Sequence, residues 1–122
     1  MYITPPHAPG VLSPIFNVYD NDMKHVAGIY GGLGTPSSAE DKKIHIAQLA
    51  RHTQIAKDAG VDVLLSTHQT QDHAIWKLEE LRLRHPGDPN PYVIGVDRYR
   101  RYLQLQQACT EYAAAQQGQN IK

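Results

Sequence analysis

An α/β fold is predicted for this chain, a small mixed sheet with three helices on one face. Three observations predict it. A β-branched apolar run, Val61 to Thr67, ends in a polar loop just before an amphipathic stretch. Two strand-like runs upstream are joined at Asp20-Asn21-Asp22, a polar turn of hairpin type. Apolar residues also recur at helical spacing in three separate segments, giving the order β-β-α-β-α-(β)-α.

Met1 to Gly10 is proline-rich and reads as an irregular lead-in to a single domain spanning residues 1–122. Val11 to Tyr19 and Lys24 to Tyr30 are the two hairpin strands. Gly31, Gly32 and Gly34 follow, at a spacing that matches neither a dinucleotide fingerprint nor a P-loop. They read as backbone relief where the chain leaves the sheet. Ser37 or Ser38 can cap the first helix, with Glu40 and Asp41 suited to its positive end. Ile44, Ala47, Leu49, Ala50, Ile55, Ala56 and Ala59 form its apolar side, and Gly60 is its stop.

Val61 to Thr67 is the expected central strand. A second helix is expected from about Thr70 to Arg84, with Ile75, Trp76, Leu78 and Leu81 as core candidates. The segment HPGDPNP is stiffened by proline, and Tyr92 to Ile94 is short and extended. The third helix starts near Asp97 and presents Tyr99, Tyr102, Leu103, Cys109 and Tyr112 or Ala113. After Ala115 a Gln-rich tail is expected to fray.

Composition narrows the function classes. Twelve basic side chains cancel twelve acidic ones, so charge gives no reason to expect nucleic acid or an anionic membrane as partner. Arg98, Arg100 and Arg101 read as the solvated side of a helix. The single cysteine, Cys109, excludes an intrachain disulfide and a cysteine-rich zinc module, and its helical position suggests a small buried hydrophobe. No apolar run approaches a membrane span, and no signal peptide opens the chain, so any export signal would lie upstream.

The strand Val61-Asp62-Val63-Leu64-Leu65 is apolar on both sides, yet helices on one face leave the other uncovered. Burying one Leu or Val side chain contributes about 1.5–3 kcal/mol, so an open face is a large liability. The chain reads as half of something.

Several segments carry a family resemblance. PHAPGVLSPIFNV, HVAGIYGG, the capped helix, VDVLLSTHQTQD and the final Tyr-containing helix resemble the carboxyl-terminal half of metallo-β-lactamase-fold hydrolases. The likeness runs from about Pro6 to Ala115 and is closest to the subclass without a cysteine ligand. It implies half of an αββα sandwich. It also implies zinc as cofactor, with His7 in Pro-His-Ala-Pro-Gly as a ligand of the first metal and His68 as a ligand of the second. The family's H-x-H-x-D-H signature, which supplies four ligands, belongs to the amino-terminal half and is absent here. Catalytic zinc usually needs three protein ligands and an open position. The chain alone is therefore not expected to hydrolyse a substrate.

The remaining histidines have blander readings. His25, His45, His52 and His85 are surface or packing residues, and His73 is an exposed helix residue one turn past His68. Asp72 caps the second helix. Three functional readings stay open at this stage: part of a zinc hydrolase completed by a separate amino-terminal half, a non-catalytic homodimer, or a small-ligand binder using Tyr30, Trp76 or Tyr92.

Overall fold

The hairpin forms where the sequence places it. In a computed structural model describing residues 1–5, 8 and 10–122, β3 (Ile15–Asp20) pairs antiparallel with β4 (Met23–Ile29). Asp20 stands opposite Met23, leaving Asn21 and Asp22 as the turn, with Asn21 in the left-handed region at φ 53°. Asparagine tolerates that conformation better than most residues.

The expected strand Val11 to Tyr19 is split at Pro14. Proline has no N–H to donate to a ladder. The residues before it, β2 (Leu12–Ser13), pair instead with β1 (Tyr2–Ile3) in a separate two-stranded sheet. The lead-in is thus partly ordered, and the buried hydroxyls of Thr4 and Ser13 lie 2.8 Å apart within it. Gly31 has the role the sequence suggests: a Cβ there would run into the Leu12 carbonyl oxygen.

Helix α1 (Ala39–Asp58) begins at Ser38, whose hydroxyl accepts the Asp41 N–H at 3.0 Å. It ends before Gly60, which takes a left-handed φ of 69°. Its buried stripe is Lys42, His45, Leu49, His52 and Ala56, at alternating steps of three and four. That is one helical face, but rotated from the one apolar residues mark. Ala47, Ala50 and Ala59 are exposed.

Strand β5 (Val63–Leu65) pairs parallel to β4, making the sheet mixed, in the order β3-β4-β5. The centre is therefore β4 rather than the Val61–Thr67 run. Beyond β5, the described residues add one antiparallel bridge, from Val93 to Val63. Pro89 and Pro91 deny that segment two ladder donors.

The expected second helix is broken. Asp72 ends α2 (Gln69–Asp72), His73 adopts a left-handed φ of 55°, and α3 (Ala74–Leu83) starts afresh. No residue of α3 is buried, and Ile75, Trp76 and Leu78 are all more than half exposed. As core candidates these three are corrected, because only Leu81 is even half-buried.

Helix α4 (Val96–Gln116) packs along α1 and buries Tyr99, Leu103, Thr110 and Ala114. Cys109 is exposed, contrary to its apolar reading. The stripe passes one position further on, where the Thr110 hydroxyl is internally satisfied by donating to the Gln106 carbonyl at 3.0 Å. The tail is held rather than frayed. The buried Lys42 ammonium donates to Gln117 Oε1, Gln119 Oε1 and the Ser37 carbonyl at 2.7–2.8 Å. These three acceptors match its three donors.

Tyr30, Leu33, Leu49, Ala56, Val61, Leu64, Tyr99 and Leu103 form the core between the sheet and the α1–α4 layer. Strand alternation sends Phe16, Val18, Met23, His25, Val63 and Leu65 to the opposite face. Phe16 is 41% exposed and Met23 63% exposed. Among the described residues, no helix is long and apolar enough to cross a membrane.

Candidate functional site

His68 sits where the chain leaves the carboxyl end of β5, the sheet edge at which α/β proteins collect ligands. Its backbone is extended, and its N–H donates to the Ser66 hydroxyl at 3.1 Å. Its carbonyl opens α2 by accepting the Gln71 N–H at 2.9 Å. The imidazole makes no capping bond and is exposed. The side chain is thus not consumed by helix capping.

Asp72 is what shapes this loop. Its buried carboxylate accepts the Ser66 N–H at 2.8 Å and the Ala74 N–H at 3.0 Å. One group thereby closes the loop after β5 and satisfies a donor at the start of α3. The expected cap is present, but on α3 rather than on one continuous helix. His73 projects from the break and is exposed. It lines an open depression of about 330 Å³ with Gln69, Thr70, Ile75 and Trp76, beside the His68 loop.

The second candidate ligand, His7, lies outside the described residues. Among the described residues, no three His, Cys, Asp or Glu side chains stand close enough to hold a metal ion. The donor set visible in this chain does not fit a catalytic zinc by itself.

Of the two readings open for His45 and His52, surface or packing, the structure shows packing in the core. The Tyr30 ring stacks on His45 with centroids 5.9 Å apart, and His52 Nε2 lies 3.3 Å from the Tyr99 hydroxyl. Burial, reinforced by the charge of Arg51, pushes the His52 pKa down to about 4. Burial also raises the Tyr30 and Tyr99 phenols. The three aromatics proposed for a pocket are not brought together. Tyr30 is buried in the core, Trp76 borders the depression near His68, and Tyr92 lines a different cavity.

Sequence reasoning missed a polar cluster at the other end of the sheet. There His25 Nδ1 lies 2.6 Å from Asp62 Oδ2, and Arg84 pairs with Asp20 at 2.8 Å. The Arg84 contact holds the Asp20 carboxyl below the ordinary carboxylate range. Strand alternation, which puts His25 on the face away from the helices, was the available signal.

The parallel β4–β5 pair, the hairpin and the two-helix layer superpose on part of the metallo-β-lactamase fold. Solved structures that it matches include metallo-β-lactamases. Against the subclass B3 enzyme of Bradyrhizobium japonicum the TM-score is 0.72 at 23% identity, covering 96% of this chain and 44% of that one. A class B3 di-zinc enzyme from an Alaskan soil metagenome matches at TM-score 0.53 and 21% identity, over 89% and 42% of the two chains. The enzyme of Elizabethkingia meningoseptica matches at TM-score 0.53 and 19% identity, over 89% and 41%. The chain thus spans less than half the length of these structures. No protein-family model matches the sequence, and no curated protein matches it either.

Proposed function

We propose that this chain is the carboxyl-terminal half of a metallo-β-lactamase-like zinc hydrolase, and that it does not hydrolyse substrate alone. The observation that carries the reading is the open sheet face. Phe16 and Met23 are exposed there on a fold matching 44% of a longer β-lactamase chain. The natural occupant of that face is a second sheet, supplied by an amino-terminal half. A second copy of this chain is the alternative occupant and would make a non-catalytic homodimer.

In this reading His68 offers one imidazole from the edge of the sheet, and His7, outside the described residues, is the other ligand of this half. Asp72 holds the His68 loop in place through Ser66. Zinc, when bound, activates a water for attack on a carbonyl or ester. A chain contributing one ligand to each metal leaves both sites incomplete, so activity depends on the other half.

The test is a calorimetric zinc titration of the chelator-stripped protein, wild type and His68→Ala, with the solution mass recorded. The reading expects weak binding by the monomer and loss of even that in the variant. Tight zinc binding by a dimer, abolished by His68→Ala, would move the site to a homodimer interface. Binding unaffected by the substitution removes His68 from the site.

A further inference from the structure

Strand β3 is the outer strand of the three-stranded sheet, and the phase of its hydrogen bonds tells which backbone groups lie on its free side. In an antiparallel pair, residues alternate between facing the neighbouring strand with both backbone groups and facing away from it. The Ile29 N–H donates to the Pro14 carbonyl at 3.0 Å, so Pro14, Phe16, Val18 and Asp20 face β4. Ile15, Asn17 and Tyr19 then face outward. Val26, which stands opposite Asn17, agrees with this phase. Its N–H donates to Asp62 Oδ1 at 2.9 Å and its carbonyl accepts the Asp62 N–H at 3.0 Å, both away from β3.

Strand β1 covers the edge only as far as Ser13, which stands opposite Tyr2. Beyond it, the backbone groups of Ile15, Asn17 and Tyr19 have no partner among the described residues. Asn17 is exposed, and Tyr19 is 67% exposed. Sheet edges are usually guarded by a lysine, a proline, a bulge or a very short strand. The stretch Ile15-Phe16-Asn17-Val18-Tyr19 contains no charge, proline or glycine, and its pairing with β4 is unbroken. It is a template for another strand.

We infer that this edge pairs with the same edge of a second copy of the chain, joining two three-stranded sheets into one. The strand is self-complementary about Asn17. An antiparallel approach along a two-fold axis there sets Asn17 against Asn17 of the other copy and Ile15 against Tyr19, and each such pair exchanges both backbone bonds. The same register brings Phe16 beside Val18 across the junction, an apolar cross-strand pair. An edge contact leaves the His68 loop and the rest of the open face to an amino-terminal half, so it stands independently of the zinc reading.

The full chain is sedimented from about 10 μM to about 1 mM, since so small an interface implies a Kd within about that range. The expected result is a concentration-dependent doubling of mass. Amide exchange at the two ends of the range identifies the surface. Ile15, Asn17 and Tyr19 should exchange about tenfold slower at the higher concentration, the worth of one hydrogen bond each. Asn17→Pro removes the central donor but spares the β4 ladder, which does not use that N–H, and it should weaken the dimer about tenfold or more. Asn17→Thr keeps the N–H and should leave the dimer intact. A chain that stays monomeric throughout the range overturns the proposal, as does a dimer that Asn17→Pro leaves unchanged. A dimer in which the three amides do not slow also overturns it, since the copies then meet through the open face. That arm holds even should Asn17→Pro fail to fold.

Discussion

The two faces of the three-stranded sheet are built from the same strands and treated very differently. On the helix side, Tyr30, Leu49, Tyr99 and Leu103 are at most 1% exposed, and a Cβ on Gly28 would meet the Tyr99 ring at 2.8 Å. On the other side, one residue along the same strands, Phe16 and Met23 are 41% and 63% exposed. Successive strand residues point to opposite faces, so one register serves both. What differs is the cover. The first face is closed by helices of this chain and supplies its folding stability. The second is buried at Ala27 and Val63 but leaves Phe16 and Met23 open and suited to association.

Truncation should separate the faces most sharply. Leu103→Ala, inside the helix layer, should remove about 2–5 kcal/mol of unfolding free energy in urea. Phe16→Ser should change it by less than about 1 kcal/mol while weakening any self-association seen by sedimentation. Comparable losses from the two variants would mean that the open face is closed in the isolated chain.

Acid sharpens the contrast next, because the titratable liability lies on the helix side. His52 is neutral in the fold, with its pKa pushed down to about 4 by burial. The unfolded chain takes up that proton near pH 6.5. The unfolded state then binds more protons, so this contribution is whole above about pH 6.5 and drains away as the pH falls toward 4. The expected loss is on the order of 3 kcal/mol. His52→Leu should be flatter over that window in denaturation at stepped pH. Parallel curves for the two proteins would remove His52 as the acid-sensitive group.

A smaller loss than that of Leu103→Ala is expected at the margin of the layer. Lys42→Met removes an ammonium held by Gln117, Gln119 and Ser37. It should lower stability by about 1–3 kcal/mol. Hydrogen exchange should localise the loosening to the last residues, and unchanged protection there would show that Lys42 does not hold the tail.

Much of the fold was legible before the structure. The hairpin turn at Asn21, the Ser38 cap, the Gly60 stop and the strand at Val63–Leu65 all follow from local chemistry. So did the placement of His68 at a sheet edge. What misled was inward orientation. The buried stripe of α1 carries Lys42, His45 and His52, and apolar periodicity ranks all three as outward. On α3 the same reasoning sent Trp76 inward, where it is 74% exposed.

The sequence by itself determined where elements start and stop and how the strands alternate, because caps, turns and pleats are settled within a few residues. Only the tertiary structure decided which polar groups are inside. Lys42 is buried because residues 75 and 77 positions away carry its acceptors, and His52 because Tyr99, 47 positions on, meets its ring. The His25–Asp62 pair spans 37 positions. A polar side chain enters a core only when such distant partners compensate its lost water, and no local pattern records them.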